Sequence, residues 1–366
     1  MDKVLRVAGW DRLGAGLSSL NQLLASRDAV WKPYEDAEEQ HQLALRIANM
    51  AFGQRDYAIE RAYLDRIGKT FASGLGLVDY IKDPAGAREA INGWVSRQTM
   101  GRIPSLLAPE NVTDTSRLIL VNAIYLKAEW ALPFDVDQTQ SRTFTTLAGT
   151  RVKVPTMYQA GGQDAPLATG KGWRATELRY AGPDGSTPLA MTLILPDDMK
   201  AFERLLSPAL LGQVQQRLSA ERKRLSKLQY TAADWADMRC GNYAYSLDLY
   251  LPKFGIDTRA DLIPSLRALG MKVPFDDAAD FTGITATDPL HIGMVIHQAN
   301  IDVDEQGTEA AAATAVGMDT TGGCGEPSPR TTKTLRLKKP FLFLLRDVQT
   351  GAILFMGRVM DPTVRS

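Results

Sequence analysis

Nine consecutive residues, Leu118-Ile119-Leu120-Val121-Asn122-Ala123-Ile124-Tyr125-Leu126, set the strongest limit on how this chain folds. β-branched and aromatic side chains suit a pleated strand, and successive side chains of a strand point to opposite faces. A run that is apolar at both parities therefore predicts a central strand covered on both sides. Asn122 is the exception, and it needs partners, because an unsatisfied buried amide costs about 1–3 kcal/mol.

Further strands are predicted for Val152 to Met157, for Ala190 to Leu195 stopped by Pro196, and for Tyr243 to Leu251 stopped by Pro252. His291 to Asp304 reads as another, and Phe341 to Arg346 with Ala352 to Met360 as a hairpin turning at Asp347 to Gly351. Helical spacing places Leu13, Leu17, Leu20 and Leu23 on one helix ending near Ala25, and a second helix over Tyr57 to Phe71. Pro84 opens a third, with Ala87, Ile91, Trp94 and Val95 along one face. Leu43 to Gly53 is a helix piece or a strand, and Gly74 to Tyr80 a short strand. Strands and helices mix without a βαβ rhythm, which gives an α+β class with mostly antiparallel sheets. Neither an internal repeat nor a Pro/Ser-rich linker divides the chain, so residues 1–366 are expected to form a single domain.

Composition removes several function classes. An apolar fraction of 45% over 366 residues supports a large core and argues against global disorder. Lys plus Arg and Asp plus Glu are both 42, so no net positive field favours nucleic acid. The basic stretch Glu221 to Lys227 reads as a solvated helix end, with a phosphate- or heparin-binding patch as the alternative. No apolar run reaches bilayer-spanning length, and the first residues lack the continuous apolar segment of a secretory signal. Cys240 and Cys324 make a poor disulfide framework and a poorer metal site, with Cys324 read as a free thiol in a glycine-rich loop. The three histidines, His41, His291 and His297, lie in no HExxH motif, and no glycine elbow surrounds a serine. From the residues alone, His297 is a satisfied buried histidine. Gly74-Leu75-Gly76 lacks the third glycine of a dinucleotide fingerprint. No enzyme, cofactor or metal function is expected.

Residues 305–333 remain, and they carry the functional argument. The first half is small and nearly uncharged; the second is rich in Gly, Pro, Ser and Thr, as in an irregular surface loop. Alanine is the best helix former, so a linker or short helix is one reading. The other uses period two. Thr308, Ala310, Ala312, Thr314 and Val316 share one face of a strand, free of charge and bulk. Such a strand fits a gap between two existing strands and gives every backbone N–H and C=O a partner. Gly307 supplies a pivot at its base.

Val303-Asp304-Glu305-Gln306-Gly307-Thr308-Glu309-Ala310-Ala311-Ala312-Ala313-Thr314-Ala315 resembles an inhibitory serpin hinge almost letter for letter. Val121 to Trp130 with Pro133-Phe134 resembles the family's third strand of sheet A and the breach beyond it. Lys339 to Arg346 and Gly351 to Val359 resemble its C-terminal strands, and Ile91 to Val95 and Leu251 to Phe254 also fit. The resemblance implies a serpin-like fold with a large mixed central β-sheet A, sheets B and C, surrounding helices and an exposed reactive-centre loop near 305–333. It implies a monomeric inhibitor of a serine protease, with cysteine proteases as occasional targets, in an extracellular or periplasmic setting. In the family the protease cleaves the loop and is held as an acyl-enzyme while the loop inserts into sheet A, so this chain would be trap rather than enzyme.

Carried over residue by residue, Glu305, Gly307, Thr308 and Glu309 resemble the start of the hinge, and Ala310, Ala311, Ala312, Ala313 and Thr314 its small-residue tract. Asn122 and His297 resemble members of the polar shutter beneath the parting strands, and Trp130 the breach tryptophan. Forward spacing from Glu305 puts the scissile bond at Thr321–Gly322; backward spacing from Pro340 puts it near Arg330, with Val316 and Met318 as further alternatives. The chain also resembles a prokaryotic-type member without the first two family helices, so a wrongly assigned start or a truncated gene is expected.

Overall fold

The computed structural model describes residues 10–32, 37–71, 75–159, 165–227, 245–286, 289–308 and 331–364. The chain divides into two compact units: Met1–Ala29, Ala44–Leu126 and Ile256–Ile301 form one, and Val30–Leu43, Lys127–Gly255 and Asp302–Ser366 the other. The strands are β1 (Ala29–Trp31), β2 (His41–Gln54), β3 (Leu75–Val78), β4 (Leu118–Glu129), β5 (Gln140–Thr145), β6 (Arg151–Gln159), β7 (Ala168–Gly170) and β8 (Trp173–Arg179). They continue as β9 (Leu189–Pro196), β10 (Tyr245–Pro252), β11 (Phe254–Asp261), β12 (Ile296–Val303), β13 (Gly307–Thr308), β14 (Thr331–Arg336), β15 (Phe341–Asp347) and β16 (Ile353–Val359). A seven-stranded sheet has the order β1-β2-β4-β13-β12-β11, with β3 beside β2; the others are β14-β10-β6-β5 and β16-β15-β9-β8-β7.

In the first unit, the helix Pro84–Gln98 starts as its sequence predicts. Asp83 accepts the Gly86 amide at 2.9 Å, and Pro84 occupies a first-turn position where a missing N–H costs nothing. Its Ala87, Ile91 and Val95 are buried with Phe52, Val121 and Ala123 in one core cluster. The Asn92 amide donates to the Leu107 carbonyl at 2.9 Å and accepts the Leu107 amide at 2.7 Å, which pins the following loop to the helix.

Here one open choice closes and two boundaries move. The ambiguous segment from Leu43 is strand β2, whose pairing with β3 overrides the helix propensity of its leucines and alanines. The second helix is Arg61–Phe71, beginning after Glu60, whose amide donates to the Ile284 carbonyl at 2.8 Å. The strand expected from His291 begins at Ile296. The Ile292 amide is used by Pro274 and the Val295 carbonyl by Leu262, so those groups are not free to join a ladder. The long apolar run also differs from expectation: β4 is not covered on both faces throughout, since Leu120 is 55% exposed.

In the second unit the five-stranded sheet is antiparallel throughout, and β15 and β16 form the predicted hairpin. At its turn Asp347 accepts from the amide and hydroxyl of Thr350, both at 2.8 Å, and Gly351 takes a φ of 74°. The helix Pro208–Ser226 buries Val214 and Leu218 against this sheet, among Trp173, Ile194, Leu342 and Leu344. Its basic end carries exposed Lys223, Arg224 and Lys227, as expected. Glu177 of β8 is 2% exposed and pairs with Arg179 at 2.9 Å, Arg222 at 3.1 Å and Arg346. Burial depresses the Arg179 guanidinium, and the neighbouring Glu177 opposes that shift.

Candidate functional site

The site is built in the second unit, where the ends of β4 and β12 no longer pair with each other. β13 stands between them. Gly307 pairs with Glu129 and Thr308 with Ala128 on the β4 side, and Thr308 pairs with Val303 on the β12 side. Both contacts are antiparallel. The Asp304 amide donates to the Gly307 carbonyl at 3.0 Å, and Asp304 Oδ1 accepts the amides of Gln306 at 2.9 Å and Gly307 at 3.2 Å. Asp304 to Gly307 is therefore a tight reversal held by one side chain. Burial raises the Asp304 carboxyl, and these amides act against that shift. Only glycine fits at 307, because a Cβ there would stand 2.1 Å from the Ala128 carbonyl oxygen.

Thr308 is 1% exposed, and its Oγ1 lies 2.7 Å from the hydroxyl of Tyr180. The Tyr180 ring stacks on Trp130 at 4.4 Å between centroids, with 21° between planes. Trp130 donates from Nε1 to the Asp304 carbonyl at 3.0 Å and from its amide to the Gln306 carbonyl at 2.7 Å. The indole thus closes over the same reversal that Asp304 braces. Burial pushes the Tyr180 phenol well above its ordinary range, so it is a neutral hydroxyl.

Glu305 points the other way and is 5% exposed. Its carboxylate accepts from Lys253 Nζ at 2.7 Å and from Thr139 Oγ1 at 2.8 Å, while its carbonyl accepts the Phe134 amide at 2.8 Å. Burial works to raise this carboxyl, but the Lys253 and Thr139 hydrogen bonds outweigh it and the net shift is downward. At the end of β4, Glu129 pairs with His41 Nδ1, and Trp31 stacks on His41 at 5.9 Å.

The second pair of sequence-predicted residues lies in the first unit. There β12 pairs in parallel with β4 at Gln298 and Ala123. One step back along both strands stand His297 and Asn122, side by side on one face. Asn122 Nδ2 donates to Asn49 Oδ1 at 2.8 Å, which supplies the partner its position demanded. His297 is half-buried rather than buried. Of the remaining predicted residues, Glu309, Ala310, Ala311, Ala312, Ala313, Thr314, Thr321, Gly322 and Arg330 lie outside the described residues, as do Cys240 and Cys324. Among the described residues no cluster of His, Cys, Asp and Glu is gathered for a metal ion.

Sequence reasoning missed Tyr180, Thr139, Lys253 and His41. Lys253 lies 52 positions from Glu305 and Tyr180 lies 128 from Thr308, so no local pattern announces either pairing.

Likeness to known proteins identifies the family and the fold. A family model described as serpin (serine protease inhibitor) matches residues 1–362. The leukocyte elastase inhibitor of Bos taurus is 31% identical over 362 residues, covering 99% of this chain and 86% of that protein. Serpin B3 of Homo sapiens is 31% identical over 318 residues, covering 87% and 74%. Among solved structures, human glycosylated kallistatin aligns with a TM-score of 0.73 and 26% identity over 95% of this chain and 80% of that one. Serpin48 of Tenebrio molitor aligns at 0.70 and 23%, over 98% and 84%, a likeness of fold. The chain belongs to the serpin family.

Proposed function

We propose that this protein inhibits a serine protease as a suicide substrate, with residues 309–330 as bait and the β4–β12 gap as the receiving slot. The catalytic serine belongs to the protease, and this chain supplies the cleaved bond and the trap. The observation that carries the reading is the position of β13. Gly307 and Thr308 already form a strand between β4 and β12, and the next residues of that alternation are Ala310, Ala312, Thr314 and Val316. None of these side chains is charged or large, so burying them leaves no unpaired charge in the sheet. Extending β13 along its neighbours adds backbone pairs on both sides. Before cleavage the loop is anchored at both ends, at Thr308 and at Thr331 of β14. Cutting it frees one end, and a fold held kinetically then relaxes to a more stable one.

Two relatives carry the name leukocyte elastase inhibitor or are named serpins outright, which supports a protease as partner. Thr321–Gly322 is the preferred scissile bond, because length on the hinge side sets how far the protease is carried; Arg330 would leave an overlong insert. The test is incubation with a panel of elastase-, chymotrypsin- and trypsin-like proteases, followed by denaturing gels. Trapping gives an SDS-resistant adduct and a released C-terminal peptide whose first residue identifies the bond. Clean cleavage with no adduct for every protease would make the protein a simple substrate.

A further inference from the structure

A cavity of about 340 Å³ opens on the four-stranded sheet of the second unit, and no residue of the β4–β12 gap lines it. Its charged lining is one-signed. Arg142 of β5, Lys153 of β6, Arg336 of β14 and Lys338 just beyond it all face the space, and none of its lining residues is acidic. The chain as a whole balances 42 basic against 42 acidic residues, so four cations together are a local concentration rather than a sample of a basic surface. Among the described residues, none of the four has a carboxylate partner.

The two guanidinium groups are held in place by an aromatic ring. Arg142 Cζ lies 4.7 Å and Arg336 Cζ 4.6 Å from the centroid of Tyr250, which itself packs on Tyr158 at 4.8 Å. Such cation–π contact fixes the face of a guanidinium and leaves its N–H edge available. Arg142 spends one N–H on Gln140 Oε1 at 3.0 Å, while its Nε is buried with no partner among the described residues. A buried donor of that kind is costly unless a ligand accepts from it. The hydroxyls of Ser141 and Thr143 add adaptable donors at the rim.

We propose that this cavity binds a small ligand carrying two or more neighbouring phosphate groups. Each guanidinium fork matches a tetrahedral oxyanion through paired N–H bonds, and the two lysines balance the remaining charge as point cations. A single phosphate leaves most of the four mutually repelling cations uncompensated, whereas a chain of phosphates spans them. The cavity volume falls within the usual range for small-molecule sites.

The experiment titrates tripolyphosphate, pyrophosphate, inorganic phosphate and sulfate into the full chain by calorimetry, at low ionic strength and without divalent metal. The expected result is one saturable site, at least tenfold tighter for tripolyphosphate than for phosphate or sulfate. Exposed Lys153 and Lys338 allow a variant that spares the fold: K153Q/K338Q should weaken tripolyphosphate at least tenfold with an unchanged melt. The control K223Q/K227Q, at the basic helix end, should leave the affinity unchanged. Hydrogen exchange should slow in Thr331–Arg336 when tripolyphosphate is bound. No saturable binding, equal affinity for sulfate and tripolyphosphate, an unaffected K153Q/K338Q variant, or protection elsewhere but not in β14 would each overturn the assignment.

Discussion

Thr308 Oγ1 and the Tyr180 hydroxyl lie 2.7 Å apart, both buried, at the point where β13 enters between β4 and β12. The contact ties the first residue of the proposed insert to the floor of its slot. In the proposed insertion, Thr308 would set the parity of the residues that follow it.

Replacing Thr308 by Arg places a charge where a neutral hydroxyl is buried. Thr308 is already inserted in the intact chain, so Arg drives β13 out of the gap and the tract must then carry an unpaired charge back in; insertion slows while deacylation of the trapped protease does not. Each ~1.4 kcal/mol added to the insertion barrier moves the partition toward release about tenfold. The stoichiometry of inhibition should therefore rise by about tenfold or more, read from titrations of residual protease activity.

Gly307→Ala tests the close approach of the two backbones. The added methyl would meet the Ala128 carbonyl oxygen at 2.1 Å, so β13 has to move away from β4. Overpacking of this kind costs about 1–3 kcal/mol. The expected outcome is a lower melting temperature and faster hydrogen exchange at Gly307 and Thr308; an unchanged melt would contradict the register.

Glu305 gives a pH signature. Its folded carboxyl is shifted below the ordinary value of 4.5, with burial opposing and the Lys253 and Thr139 bonds prevailing. A depressed carboxyl stabilises the fold at pH values above its unfolded pKa, and that contribution is lost as pH falls through the folded pKa. The stability gap between wild type and Glu305→Gln should be constant above about pH 6 and shrink below 4.5. Asp304 is raised chiefly by burial, and the neighbouring Glu305 charge adds to that shift, so Glu305→Gln also relaxes Asp304 and trims the gap slightly. A gap that widens in acid would refute the Lys253 pairing.

Glu177 should matter for stability and not for trapping. Removing it as Glu177→Ala takes the carboxylate partner from Arg179 and Arg346, and breaking a buried ion pair costs about 3–5 kcal/mol. Chemical denaturation should show that loss, while adduct formation at a permissive temperature persists.

The part of this molecule legible in its sequence is the part written in local periodicity. β4, the helix that Pro84 opens, and the β15–β16 hairpin each announce themselves by spacing and turn chemistry. Gly307 was legible as a pivot, although the need for glycine comes from the Ala128 carbonyl rather than from flexibility alone. The walls of the site were not legible. Tyr180, Thr139 and Lys253 reach Thr308 and Glu305 only through the sheet topology, and each is an ordinary residue in its own segment. Leu120 shows the converse, an apolar residue whose pattern predicts cover that the described structure does not give it.

On the proposed mechanism, the segment after Thr308 becomes a strand once its far end is free. Cleaving the bait with a protease that leaves no adduct, and then following thermal unfolding, tests it directly. The account predicts a large rise in melting temperature, together with slowed hydrogen exchange along residues 309–316. A cleaved protein that melts where the intact one does, with exchange in that segment unchanged by cleavage, would contradict it.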